Sequence, residues 1–267
     1  MDRDSAPAAP REGAQAVHRT LALLQCFSDS SQDLTASDLA RRTGLALSTA
    51  HRLLKVLTNA AYLEQDPSTA RYRLGPSLAE LGRLAYHRRG LHRAEPELAQ
   101  LSAHTGATAD LATRIGEHAV ILVGGSLDRD GARGLRRPLH STALGKVLLA
   151  WGDEDADLST LPLEQLTRRT ITDPQDLRDE LARVRTAGFA LNEGESTAGV
   201  RTVAVPVLDH TNRARFALAL RSSPEAMASA RLAWFAEQAA ACATALEVLL
   251  LPPGQRRTGP RPPIAVP

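Results

Sequence analysis

Apolar residues recur at helical spacing near the start of the chain, at Val17, Leu21, Leu24 and Phe27 within residues 14 to 28. A polar loop, SDSSQD, follows. Thr35 then stands three places before Asp38, a capping-box arrangement with Asp in the Glu/Gln role. The spacing predicts a helix with Leu39 and Ala40 turned inward and Arg41 and Arg42 outward. Gly44 suits the abrupt end of that helix, where a residue with positive φ is needed. A second helical pattern starts at once. Ala50, Leu53, Leu54 and Leu57 form its apolar face, and Ser48, Thr49, His51, Arg52 and Lys55 its polar one. The stretch AYLEQDPSTARYRLG then alternates and breaks at Asp66-Pro67-Ser68. It predicts a hairpin entered by Tyr62 and Leu63 and left by Tyr72 and Leu74, with Arg71 and Arg73 on its tip and return strand. The first 75 residues read as helix, helix, turn, helix, hairpin.

Residues 77 to 105 are helical again, with Leu78, Leu81, Leu84 and Leu98 recurring and a break at Gly90 and Pro96. A domain boundary is expected within residues 76 to 95. Beyond it the pattern changes to short strands, expected at 108–114, 119–124, 135–139, 189–192, 201–208 and 215–221. Helices are expected from Ser141 to Trp151, from Asp173-Pro174 to Gly188, and from Pro224 to about Leu250. Interleaved strands and helices point to an α/β sheet domain.

Composition narrows the function. The chain has 267 residues, enough for two ordinary domains, and a formal net charge of only +2, so any nucleic-acid footprint must be local. Nearly all the basic residues are Arg; Lys55 and Lys146 are the only lysines. Cys26 and Cys242, the only cysteines, sit at apolar helical positions and are expected to be buried reduced thiols. No apolar run reaches the roughly 18 residues of a membrane span, and MDRDSAPAAPREG has no apolar signal core. A cytoplasmic protein is expected, with a disordered N-terminal arm and a disordered tail, PPGQRRTGPRPPIAVP.

A helix buried on one face, with small polar and basic groups at its N-terminal end, fits the DNA major groove, and a helix N-terminus favours phosphate. Arg41 and Arg42 are available to the backbone from the preceding helix. Arg71 and Arg73 sit on the hairpin as a wing. In residues 35 to 75, Arg41, Arg42, Arg52, Lys55, Arg71 and Arg73 stand against Asp38, Glu64 and Asp66, so this stretch is net basic.

The run LARRTGLALSTAHRLLKVLTNAAYLEQDPSTARYRLGPSLAELG resembles the winged helix-turn-helix of IclR-family transcriptional regulators. PLHSTALGKVLLAW (138–151) is similar to that family's strand-to-helix motif, and TITDPQDLRDELARVRTAGFALNEGESTAGVRTVAVPVLD (170–209) to its second signature. The resemblance spans residues 14 to 250 and implies an α+β chain. Its parts are a disordered arm (1–13), a winged helix-turn-helix domain (14–76), a linker helix (77–95), a GAF-like effector-binding domain (96–251) and a disordered tail (252–267). It also implies a homodimer or homotetramer on double-stranded DNA, at an inverted-repeat operator, acting as repressor or activator under a small-molecule effector, with no cofactor.

Carried over position by position, the effector pocket would use Ser141, Thr142, Ala143 and Leu144 at a helix N-terminus, together with Asn192, Thr202, Ala219 and Arg221. The departures are specific. Many members have an acid near Asn192 and a cysteine at Thr202, and small-acid binders have serines near Ala219 and Arg221. Arg221 would suit an anionic ligand. GGSLDRDGARG (124–134) is shorter and more charged than usual. The effector class stays open among an aromatic acid, another short acid and a larger hydrophobic metabolite.

Two rival readings are weaker on the residues. LGKV (144–147) departs from a phosphate loop, with His140 at the upstream glycine position and Val147 where Ser or Thr would bind magnesium. His140 beside Ser141 lacks an acid partner and a nucleophile elbow, and no histidine or cysteine spacing suits a metal, so no catalysis is expected. A GAF-like ligand sensor acting through protein contacts, without DNA binding, leaves the polar recognition face unexplained.

Overall fold

The computed structural model describes residues 12–28, 32–124, 134–152 and 158–265. They form two compact units, one ending at Ala85 and the next beginning at Tyr86.

In the first unit, α1 (Glu12–Gln25), α2 (Ala36–Thr43) and α3 (Leu47–Asn59) precede a hairpin of β1 (Leu63–Gln65) and β2 (Tyr72–Leu74), and α4 (Pro76–Arg88) follows. The capping box at Thr35 forms in both directions: Asp38 N–H donates to Thr35 Oγ1 at 3.1 Å and Thr35 N–H to Asp38 Oδ2 at 3.3 Å. Gly44 takes φ 66°, which lets Leu45 N–H reach back to Ala40 O at 3.0 Å and closes α2. The core gathers Leu23, Leu34, Leu39, Leu54, Leu57, Leu63 and Tyr72. Two readings change here. On α1 the residue that enters the core is Leu23, whereas Val17 and Leu21 are 58% and 50% exposed. Leu34 adds a third, one-residue strand by exchanging backbone bonds with Tyr72 at 3.0 and 2.8 Å. A bridge that short leaves no alternation to read.

The second unit starts with a turn at Gly90 and α5 (Ala94–Thr105). Pro96 lies in the first turn of α5, where its missing N–H has no intrahelical partner to lose, so the expected break there does not occur. Six strands follow: β3 (Thr108–Ile115), β4 (His118–Val123), β5 (Arg136–Pro138), β6 (Ala190–Glu193), β7 (Arg201–Leu208) and β8 (Ala214–Ser222). Their order is β5-β4-β3-β8-β7-β6, and every pair is antiparallel. The unit is a mixed helix-and-sheet domain, as expected, and its sheet is antiparallel throughout. Two three-stranded meanders, β3-β4-β5 and β6-β7-β8, meet at β3 and β8, with Gly116-Glu117 as the two-residue turn between β3 and β4.

The longest connection carries α6 (Ala143–Ala150) and α7 (Pro174–Ala187) from edge β5 to edge β6 across one face. α5 and α8 (Leu232–Leu250) cover the other face. The apolar residues on the α6 side of the sheet are mostly alanine (Ala112, Ala190, Ala204, Ala217, Ala219), against Leu144, Val147 and Leu148 of the helix. Small sheet residues match large helix residues. The α8 side carries Val203, Val205, Leu218 and Leu220.

α8 begins at Leu232 and not near Pro224, because residues 224–231 turn to bury Met227. The described tail residues, 252–265, are also placed, contrary to the disordered tail that composition predicts. Arg261 Nη2 donates to the buried Glu247 of α8 at 2.7 Å, and Ala265 N–H to Ala187 O at 2.9 Å. A buried acid partner on a distant helix is invisible to composition. Neither Cys26 nor Cys242 forms a disulfide, and both are only partly buried; the Cys26 thiol donates to Ala22 O at 3.3 Å.

Candidate functional site

The turn at Gly44 delivers α3 with its N-terminal end outward. Its cap residue, Ala46, has no side-chain hydrogen bond to the first turn. Ala50, Leu54 and Leu57 are buried and Leu53 half-buried, whereas Ser48, His51, Arg52 and Lys55 are exposed and Thr49 is half-buried. Leu47, 47% exposed at the first helical position, belongs to the same surface; the sequence pattern does not reveal it, because apolar residues read as core. Arg52 Nη2 lies 3.5 Å from Thr49 Oγ1, one turn back.

The flanking arginines are exposed, and each is anchored. Arg41 pairs with Asp38 at 2.8 Å, Arg42 donates to Cys26 O at 3.2 Å, Arg71 donates to Asp33 O at 2.8 Å, and Arg73 pairs with its cross-strand neighbour Glu64 at 2.8 Å. The hairpin tip is held by Asp66, whose Oδ1 accepts from Ser68 N–H, Ser68 Oγ–H and Thr69 N–H at 2.7, 2.5 and 3.0 Å. The Ser68 hydroxyl and the two backbone donors bring its carboxyl down to about 2.

In the second unit, strand register gathers the other group of residues. Asn192 opposes Thr202, Thr202 opposes Arg221, and Arg221 opposes Thr108. These four form one polar row across β6, β7, β8 and β3. The adjacent row is Ala190, Ala204, Ala219 and Asp110. Both rows share the sheet face covered by α6, as period-2 alternation from Ala204 and Ala219 requires. Arg221 Nε lies 3.8 Å from the buried Asp110 Oδ2. Asp110 is not singled out from the sequence, though an acid inside the apolar run of β3 is a signal. Of the segment GGSLDRDGARG (124–134), residues 125 to 133 lie outside the described residues.

Ser141 through Leu144 are all buried at the start of α6. Thr142 is the cap: its hydroxyl donates to Pro138 O at 2.7 Å and accepts from Gly145 N–H at 3.1 Å. Gly145 is required by close approach, since a Cβ there would stand 2.2 Å from Leu139 O. Ser141 is fully buried, and its Oγ has no hydrogen-bond partner among the described residues. Asn192 is fully engaged. Its amide donates to Ser141 O at 2.6 Å and Ser196 Oγ at 3.1 Å, and its Oδ1 accepts from Gly194 and Glu195 N–H at 3.0 Å each. His140 Nε2 meets a backbone carbonyl, Glu164 O, at 3.0 Å, and burial pushes its pKa down.

In the sequence Lys146 stands out only as a rare lysine in a failed phosphate loop. In the structure it is 1% exposed, and its Nζ donates to Glu180 at 2.9 Å, Glu195 at 2.6 Å and Leu191 O at 3.0 Å. Burial pushes the Glu195 carboxyl up. At Glu180 burial acts in the same sense, but Lys146 and Arg183 outweigh it and hold the carboxyl down. A cleft of about 700 Å³ lies here, lined among others by Lys146, Glu180, Phe189, Leu191 and Glu195. A second, of about 510 Å³, is lined by residues including Arg169, Glu193, Gly199 and Arg201. Neither includes Ser141–Leu144, Asn192, Thr202, Ala219 or Arg221. Among the described residues no group of three or more His, Cys, Asp or Glu could hold a metal, and no helix is long and apolar enough to cross a membrane.

Known proteins share this architecture. The profile of the IclR helix-turn-helix domain matches residues 16–67, and that of the bacterial transcriptional regulator IclR C-terminal domain matches residues 86–248. The HTH-type transcriptional regulator XynR of Escherichia coli K12 is 36% identical over 233 residues, covering 84% of this chain and 92% of the relative. The regulator BhcR of Paracoccus denitrificans is 34% identical over 229 residues, covering 82% of this chain and 81% of its own. The crystal structure of an IclR homologue from Microbacterium hydrocarbonoxydans, complexed with 4-hydroxybenzoate, superposes with a TM-score of 0.70 at 27% identity, covering 88% of this chain and 98% of that one. An IclR regulator from Alicyclobacillus acidocaldarius superposes at 0.72 with 25% identity, covering 91% and 100%. With both profiles matched in order on an α+β chain of this topology, the protein belongs to the IclR family of bacterial transcriptional regulators.

Proposed function

We propose that the chain binds a specific operator through α3 and that a small organic acid in the second unit controls this binding. The observation that carries the DNA reading is the start of α3. Its N-terminus has no side-chain cap and is outward-facing, and it is followed by Ser48, His51, Arg52 and Lys55 on one exposed face. Free first-turn N–H groups suit a phosphate, and the side chains beyond suit base edges. Thr49 belongs to the same set. Arg41, Arg42, Arg71 and Arg73 contact the backbone from either side, with orientations fixed by their protein partners. Duplex selected from a random library is the probe. Arg52→Ala should weaken its binding by about tenfold to a hundredfold, as for one lost base contact, with wild-type melting. Equal binding by variant and wild type would sink this assignment.

The effector reading rests on the unpartnered Ser141 hydroxyl at the buried N-terminus of α6, next to Asn192, which opens the polar row that continues through Thr202 to Arg221. Ala143 and Leu144 present backbone there, Ala219 leaves room, and Arg221 meets the carboxylate. Because Asn192 has all its bonds within the protein, it shapes the site and does not touch the ligand. The relative solved with 4-hydroxybenzoate makes that acid the first to test. At about 100 times its Kd a ligand should stabilise the fold by roughly 2.7 kcal/mol, read as a thermal shift that Arg221→Ala abolishes.

The chain acts as a homodimer or homotetramer on an inverted repeat, with the domain limits given by the sequence and α4 as the linker. Val17 and Leu21 of α1 and Leu81 and Leu84 of α4 are exposed, and α4 buries no residue within its own chain. Such a helix needs a partner. Sedimentation of the purified protein as a monomer would contradict this.

A further inference from the structure

Lys146 costs the fold something to keep. An ammonium only 1% exposed has lost its water, and buried ion pairs seldom stabilise more than apolar groups of the same volume. Its three bonds join α6 to three separate elements: Glu180 on α7, Leu191 O on the outer edge of β6, and Glu195 in the loop after β6. The same loop returns to the start of α6 by another route. Asn192 accepts the Gly194 and Glu195 N–H groups and donates to Ser141 O. The contacts therefore close a ring, from Ser141 along α6 to Lys146, across to Glu195, back through Asn192 to Ser141. Thr167 and Thr170 fix the loop from outside, through Gly194 O at 2.8 Å and Glu195 O at 2.7 Å.

We infer that Lys146 is a positioning residue that makes the first turn of α6 and the loop 193–196 one mechanical element, so that occupancy beside Ser141 is passed to α7 through Glu180. This rests on the proposed effector site at Ser141. Lys146 itself does not touch the effector. Its ammonium holds the helix at one register against the loop, and Asn192 holds the helix start against the same loop. A ligand that moves Ser141 must move both. An apolar side chain in place of Lys146 would fill the volume but fix no register, because dispersion contacts have no direction, whereas three hydrogen bonds do.

Amide hydrogen exchange tests the ring without any ligand. Glu195→Gln keeps the shape and an acceptor but removes the charge. The triple variant Lys146→Met, Glu180→Gln, Glu195→Gln removes the three charges around Lys146 at near-constant volume and leaves Arg183, the other partner of Glu180, exposed to water, so the fold survives where Lys146→Met alone would strand two acids. Exchange at Ser141–Leu144 should rise roughly tenfold in the triple variant and to a lesser degree in Glu195→Gln, with α8 amides and the melting temperature unchanged. A purely structural lysine would leave Ser141–Leu144 as protected as in the wild type, and that result overturns the inference. So does a rise spread evenly over the sheet and α8. If 4-hydroxybenzoate and the other acids give no thermal shift while the exchange coupling is present, the effector assignment fails and the ring stands. If the wild type shows a thermal shift and the variants show no coupling, the effector site stands and the ring fails.

Discussion

The tripeptide Ser-Thr-Ala opens two helices of this protein, as Ser48-Thr49-Ala50 on α3 and Ser141-Thr142-Ala143 on α6. On α3 the three residues lie inside the first turn, Ser48 is exposed, and the cap before them is an alanine with no side-chain bond. On α6 the frame is shifted. Thr142 is itself the cap, all three residues are buried, and the helix start points into protein. The same three residues lie once on an open helix face and once sealed within protein. The cause is what surrounds them. α3 follows a glycine turn and has a core on one side only. α6 lies on an alanine sheet and is roofed by α7 and the loop after β6. A hydroxyl in water has partners in excess. Ser141 Oγ is sealed without one, which costs about 1–3 kcal/mol that a polar ligand group can return.

That contrast can be broken most strongly at Gly145. Gly145→Ala places a methyl 2.2 Å from Leu139 O, backbone that cannot yield. The second unit should lose roughly 3 kcal/mol in chemical denaturation, while duplex binding by the first unit's α3 changes only through the fraction unfolded. The next effect comes from the threonines. Thr142→Ala removes the bonds to Pro138 O and from Gly145 N–H and should cost about 1–2 kcal/mol. Thr49→Ala should fall within about 0.5 kcal/mol, as surface changes do. Equal costs at the two sites would mean that burial does not separate them.

Ala46→Ser sharpens the comparison by giving α3 the cap that α6 already has. Stability should rise by about 0.5–1 kcal/mol and duplex affinity fall by up to about tenfold, because the new hydroxyl occupies N–H groups offered to phosphate. Unchanged affinity would exclude the α3 N-terminus from the contact. The smallest effect is at the wing. Asp66 has its carboxyl lowered from 3.8 to about 2 by the Ser68 hydroxyl and the backbone of Thr69 and Ser68. A depressed acid contributes order that is full above its unfolded pKa and is lost as pH falls through the folded one. Ser68 and Thr69 amide shifts should therefore move between pH 3.8 and about 2 and stay flat above.

Much of the first unit was legible because its signals are local. The capping box needs only Thr35 and Asp38, the turn only Gly44, and the hairpin only Asp66-Pro67 between alternating strands. The bridge at Leu34 was not legible, since one residue carries no period. In the second unit the strand positions follow from alternation, but their antiparallel order does not, because alternation says nothing about which strand lies beside which. The row from Asn192 to Thr108 exists only through three registers set by distant pairs. The tail misled for the same reason, its anchor being Glu247 on another element.

The sequence by itself determined the elements, the helix ends, the turn before α3 and the polar face that follows it. These depend on backbone preferences and on neighbours three or four residues away. Only the tertiary structure decided that Ser141 would be sealed, that Asn192 would be saturated, that Arg221 would stand 3.8 Å from Asp110, and that Lys146 would join three elements. Each of those facts is a meeting of residues far apart in the chain. Burial and hydrogen-bond partners are set by what packs alongside, and a single sequence read along its length does not contain that information.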